Sequence, residues 1–207
     1  MGSSLSGLRK ALAWSDFRRK RMPPPEAGES GTAAQTSTVF SAPALQSKVI
    51  DGSKPVTYRL ADTINIAIRL KRDECWVATW VFDKARSDAE RARLLKHEQG
   101  HYDIVALLAR DMFVEIMAVK TQIFPTAQEP IDAVTEITDK YSPFMQSLQD
   151  LYDEKTNHGE EQAVQKRWNA LINRSFTEQR ATGELAPDKT PYKAPLIDVL
   201  KDVRILN

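Results

Sequence analysis

Leu94–Leu95–Lys96–His97–Glu98–Gln99–Gly100–His101–Tyr102–Asp103 is the stretch around which this chain is organised. It carries an H-E-x-x-H spacing inside a segment whose apolar residues recur with a helical period. At 3.6 residues per turn, His97 and His101 point about 40° apart, one turn above the other, and Glu98 projects about 60° from His101. Two imidazoles so placed can hold one zinc ion, and the adjacent carboxylate can act as base toward a water on it. The chemistry needs all three parts. Imidazole donors leave the metal Lewis-acidic, the metal brings the pKa of its water to about 7, and the glutamate takes the proton.

The surrounding residues predict a long helix. Ser87 is a capping residue with Glu90 three positions on, and the apolar periodicity runs to about Val119. Leu94, Val105, Leu108 and Met112 continue the histidine face, which therefore lies on an inward apolar stripe rather than on a charged surface. Buried paired imidazoles need partners, and a metal is an economical one. Gly100 costs about 1 kcal/mol relative to Ala in mid-helix, which makes sense if another backbone or a substrate comes close there.

The chain has three histidines, and the third, His158, stands in Leu151–Tyr152–Asp153–Glu154–Lys155–Thr156–Asn157–His158–Gly159. A catalytic zinc site usually takes three protein ligands and leaves a fourth position for water. With Asn157 as cap and Glu160 three residues after it, His158 is predicted in the first turn of a further helix, a placement that suits a ligand. Its plain alternative is a turn histidine.

Three blocks together resemble the bacterial family of predicted secreted zinc-dependent proteases. They are Trp14–Ser15–Asp16–Phe17, then Leu94 through Ile104, then Tyr152–Asp153 with Thr156, His158, Gly159, Gln165 and Trp168, spanning roughly residues 12–176. The resemblance implies a zincin-like peptidase with His97 and His101 as zinc ligands and Glu98 as catalytic base. The third ligand is read from the residues and not from the family: His158 and Asp153 are both candidates five residues apart, and His158 is favoured because it opens the expected new helix, with Asp153 then in the outer shell. Tyr152 is a candidate donor to the oxyanion. Asp153 is the better candidate for the acceptor that orients His158, since Asp103 lies about 200° around the helix from His101 and cannot serve it directly.

The 207 residues, 42% of them hydrophobic, suffice for one domain with a normal core, with residues 1–11 and 183–207 as peripheral segments. A net charge of +1 gives no general reason to expect nucleic acid. No apolar run is long enough to span a bilayer. The single Cys75 excludes an internal disulfide. Residues 1–5 are followed by no hydrophobic signal core. Localisation stays open, cytoplasmic for the chain as it stands and periplasmic or secreted if a signal peptide has been removed.

Along the rest of the chain, Leu5–Phe17 reads as a short helix, Arg18–Arg19–Lys20–Arg21 as solvated surface, and Met22–Thr36 as a loop. Thr36–Phe40, Pro55–Leu60, Asp62–Leu70 and Cys75–Phe82 read as strands, the third alternating with Ile64, Ile66, Ile68 and Leu70 on one face. Trp76 and Trp80 are expected to pack in the core against the helix, the alternative being a substrate pocket. After a loop at Thr121–Pro130 come helices at Ile131–Tyr141 and Pro143–Glu154, broken or kinked at Ser142–Pro143, then Asn157–Arg180. A Pro-punctuated tail from Gly183 ends in an amphipathic Leu196–Leu206.

The expected fold is α+β and zincin-like, a small, mainly antiparallel sheet of about four strands packed on the metal helix, then a helical C-terminal half. The expected function is zinc-dependent hydrolysis of peptide bonds in a protein or peptide substrate, with a sheet edge receiving the peptide. The alternative is a zinc-stabilised binding module that cleaves nothing and has no use for Glu98. Substrate preference and oligomeric state are not written in the sequence.

Overall fold

The computed structural model describes residues 2–22, 32–41, 45–60, 63–179, 193–202 and 205. Its centre is helix α1 (Asp88–Lys120), whose start is fixed by a reciprocal cap. The Ser87 hydroxyl accepts from the Glu90 amide at 3.2 Å, and the Glu90 carboxylate accepts from the Ser87 amide at 2.7 Å. From His97 to Met112 most of this helix is buried. Helices α2 (Glu129–Thr156), α3 (Gln162–Thr177) and α4 (Leu196–Asp202) all pack against it. Among the described residues no helix is long and apolar enough to cross a membrane.

Among the described residues, eight short strands cover the other side: β1 (Ser4–Ser6), β2 (Arg18–Lys20), β3 (Ala34–Gln35), β4 (Thr38–Phe40), β5 (Ser47–Val49), β6 (Tyr58–Leu60), β7 (Asn65–Leu70) and β8 (Trp76–Ala78). They form three small sheets, ordered β1-β7-β4, β2-β8-β3 and β5-β6. β1 runs parallel to β7 and β2 parallel to β8, while β3, β4 and the β5–β6 pair are antiparallel. The α+β class therefore holds, but in place of one mainly antiparallel sheet there are three, two of them mixed. Alternation along β7 is as the sequence predicts, with Ile66 and Ile68 buried and Asn65 and Arg69 exposed.

The N-terminal reading needs correction. Leu5–Phe17 is not a helix but strand β1, an irregular stretch and a short 3-10 turn at Trp14–Asp16. Polar pairing decides this. The Ser4 amide bonds to the Ile64 carbonyl at 2.9 Å, and the buried Asp16 carboxylate accepts from the Ala13 amide at 3.1 Å. Residues 7–12 are strapped to the back of α1: Tyr102 donates to the Gly7 carbonyl at 2.6 Å, and the Gln99 side chain bonds Lys10 and Leu12. Leu12, Ile66, Leu107, Leu148, Trp168 and Leu200 belong to one continuous core.

The C-terminal half departs from expectation at two points. α2 continues through Pro143 instead of breaking there, and Asn157 does not start the next helix. It ends α2 in a left-handed conformation (φ 46°), and α3 begins only at Gln162. The loop between Pro23 and Gly31 and the tail at 183–192 lie outside the described residues.

Candidate metal centre

α1 supplies His97 and His101, and α2 supplies Asp153. Their donor atoms converge. His97 Nε2 and His101 Nε2 are 3.1 Å apart, and Asp153 Oδ1 lies 3.0 Å from the first and 2.9 Å from the second. A tetrahedral zinc with bonds of about 2.0–2.1 Å separates its ligand atoms by about 3.3–3.4 Å. The three atoms need to spread by only a few tenths of an ångström, so this buried group can hold a metal ion.

Hydrogen bonding on the far side of each ring makes the same point. Gln165 Oε1 lies 3.0 Å from His97 Nδ1, and Gln149 Oε1 makes the equivalent contact to His101 Nδ1. An amide oxygen only accepts, so each Nδ1 carries its proton and each neutral ring turns a bare Nε2 inward. The amide orientations are fixed in turn, because Gln165 Nε2 donates to the Tyr152 hydroxyl and to Asn169 Oδ1, and Gln149 Nε2 donates to the His101 carbonyl. Two lone-pair nitrogens and a carboxylate oxygen thus face one another, an arrangement that demands a cation.

In a ring that takes up a second proton, Nε2–H answers the same demand by donating to Asp153. Burial works against charge on His101, but its hydrogen bond to Asp153 and the nearby Glu98 raise its pKa above the ordinary value. Burial also works against ionised Asp153, yet the bonds from His101 and His97 hold it well below the usual carboxylate range.

His158 is placed differently from expectation. It sits in the turn after α2 with φ 52°, between Asn157 and Gly159 (φ 86°), and its side chain is 41% exposed. Its Nδ1 comes to 3.5 Å from Asp153 Oδ1, but the residue is not part of the converging group. The left-handed turn serves His97 instead: a Cβ on Gly159 would stand 2.9 Å from the His97 Cβ, so the glycine backbone presses directly on that imidazole.

Tyr152 also lies away from where an oxyanion donor is needed. It is fully buried, its ring stacks on His97 (4.7 Å between centroids, 9° between planes), and its hydroxyl donates to the His97 carbonyl at 3.2 Å. A Cβ at Gly100 would meet that hydroxyl at 2.2 Å. The close approach anticipated at Gly100 is therefore a tyrosine from α2, neither backbone nor substrate.

Glu98 is buried beside the donors, and its Oε2 accepts from the Thr36 hydroxyl at 2.6 Å. A cleft of 1240 Å³ opens over Glu98, His97, His101, Asp153 and His158. One wall is the stretch from Thr32 to Phe40, and the other comes from α2 between Ser142 and Asp153. β3 and β4, within the first wall, are each the outer strand of their sheet among the described residues. Trp80 also lines the cleft, whereas Trp76 lies on the sheet beneath Lys20. Gln149, Gln165 and Thr36 were not assigned roles from the sequence. An i−4 relation between Gln149 and Asp153 on one helix face was the available signal for the first of them. Comparison with known proteins returned no matching family model, no matching curated relative and no matching solved structure.

Proposed function

We propose that this protein is a zinc-dependent peptidase with His97, His101 and Asp153 as the metal ligands and Glu98 as the general base. The observation that carries the reading is the meeting of three lone-pair donors beside a buried carboxylate at the floor of an open cleft. Zinc, when bound, supplies Lewis acidity that acidifies water and polarises a carbonyl. Asp153 in place of His158 adds a negative charge to the ligand set, and both imidazoles are locked by glutamines in the tautomer that binds metal.

The chain's own groups do the rest. Glu98, held on one oxygen by Thr36, removes a proton from the attacking water and delivers it to the leaving nitrogen. The outer edge of β3–β4 offers main-chain groups to an extended peptide laid along the cleft. The half-exposed His158, which lines the cleft, is one polar side chain open to a substrate, a part that the buried Tyr152 cannot take. The resemblance to predicted secreted zinc-dependent proteases supports the same reading, and its middle and last blocks meet in space: Tyr152, Gly159 and Gln165 pack on His97.

The test is Glu98→Gln. The amide keeps the shape but takes no proton, so peptide hydrolysis should fall by about 10²–10⁴-fold while zinc content and melting temperature hold. Elemental analysis should find about one zinc per chain in both proteins. Cleavage by the variant at the wild-type rate ends the mechanism, and zinc binding without cleavage by either protein leaves a binding module.

A further inference from the structure

We infer that Thr36 is a positioning residue for Glu98, and that the strand segment carrying it couples peptide docking to the orientation of the base. The inference rests on the peptidase reading above. Thr36 occupies the step between β3, which pairs with β8, and β4, which pairs with β7. Neighbouring Ser37 is fastened on the inner side of this step: its carbonyl accepts from the Lys71 amide at 2.9 Å, and its amide lies 3.3 Å from Cys75 Sγ. Thr36 uses its one hydroxyl proton on Glu98 Oε2 at 2.6 Å. A glutamate has three side-chain torsions, and fixing one oxygen directs the other at the water to be deprotonated. A displacement of about 1 Å in such a group costs about 10²-fold in rate.

The position of this residue matters as much as its bond. Residues 34–40 line the cleft, and β3 and β4 are outer strands, so a peptide adding to that edge would bond the main chain on both sides of Thr36. Ordering the step orders the hydroxyl, and the hydroxyl orders the base. Binding energy from substrate residues far from the scissile bond then appears in kcat and not only in KM.

Two substitutions and one binding measurement test this. Thr36→Val is isosteric without the hydroxyl, and Thr36→Ser restores it. In the zinc-loaded proteins, Thr36→Val should lower kcat by about 10–100-fold with KM little changed, and Thr36→Ser should recover most of the loss. Wild-type kcat should rise as the peptide is lengthened, and this rise should vanish in Thr36→Val. In the metal-free proteins, an uncleavable peptide should bind wild type and Thr36→Val equally, and should slow amide hydrogen exchange over residues 34–40 in both. Equal kcat for wild type and Thr36→Val overturns the inference, as does a Ser variant as slow as the Val variant or protection by the peptide elsewhere in the cleft. If the zinc-loaded wild type cleaves no peptide, the peptidase reading itself fails and this inference falls with it.

Discussion

His158 and Asp153 differ less in chemistry than in the backbone that carries them. Asp153 stands on the last turns of α2, on the face that also holds Gln149 and Tyr152, and helical spacing aims all three at α1. His158 follows a left-handed residue and is left-handed itself, so its side chain turns to the cleft wall. Asp153→Ala should therefore lose zinc at concentrations where His158→Ala still holds it, in a titration against a chromophoric chelator. Loss of a group that only supports a ligand costs about 10–100-fold in affinity, and loss of Asp153 should exceed that. The opposite order would return His158 to the ligand set. At this scale His97, Glu98 and His101 were legible because their spacing alone fixes their geometry. The third donor was not, since Asp153 and His158 both lie in one short segment and only the handedness of the turn separates them. The glutamines were harder still: their role emerges only when each ring nitrogen is assigned a partner.

Among the elements, α1 was readable from its ends because the Ser87–Glu90 cap is a local device. α2 does not break at Pro143, although a proline there costs the helix the bond to Asp139 and crowds that carbonyl. The helix continues because Pro143 is exposed and the flanking hydroxyls bond within it, Ser142 to the Thr138 carbonyl and Ser147 to the Pro143 carbonyl, both at 2.8 Å. Pro143→Ala should raise stability by about 1–3 kcal/mol in urea titration, with no effect on zinc affinity. The back of α1 makes a second prediction. Burial pushes the Asp103 carboxyl up to about 6 from an ordinary 3.8, against the opposing Gln99 bond and Arg9 charge. A raised folded-state value means that this group's stabilising contribution is complete below about pH 4 and is lost as the pH rises through about 6. Asn at this position can keep the Gln99 bond without the charge. Asp103→Asn should thus melt higher than wild type at pH 8, and the difference should close toward pH 4; an equal gain at both values would mean that ionisation plays no part.

Across the whole molecule, the C-terminal segment is held by a buried ion pair. Arg110 bonds Asp111, the Ser175 carbonyl at 2.7 Å and the Ala194 carbonyl at 3.0 Å, while Asp111 accepts from the Leu196 amide at 2.8 Å. Asp111→Ala strips the Arg110 guanidinium of its carboxylate and should cost about 3–5 kcal/mol, with faster hydrogen exchange across residues 194–200. A stable variant with unchanged exchange would show that α4 docks through its apolar face alone. Composition and alternation mark β4, β6, β7 and β8, but not β1, β2, β3 or β5, and not the pairing of any of them. Parallel partners β1 and β2 are joined to β7 and β8 by long excursions, and nothing local in Ser4–Ser6 or Arg18–Lys20 announces them.

That distance has a consequence in time. Ser4 meets Asn65 across 61 positions, and His97 meets Asp153 across 56. Contacts so remote close slowly, so folding should be slower than that of a simple helical bundle. During synthesis the two imidazoles are made well before the carboxylate that joins them, and a metal arriving then finds only a two-toothed grip. On the zinc-peptidase reading proposed above, the choice of metal would then be deferred to the moment when the second long helix docks on the first.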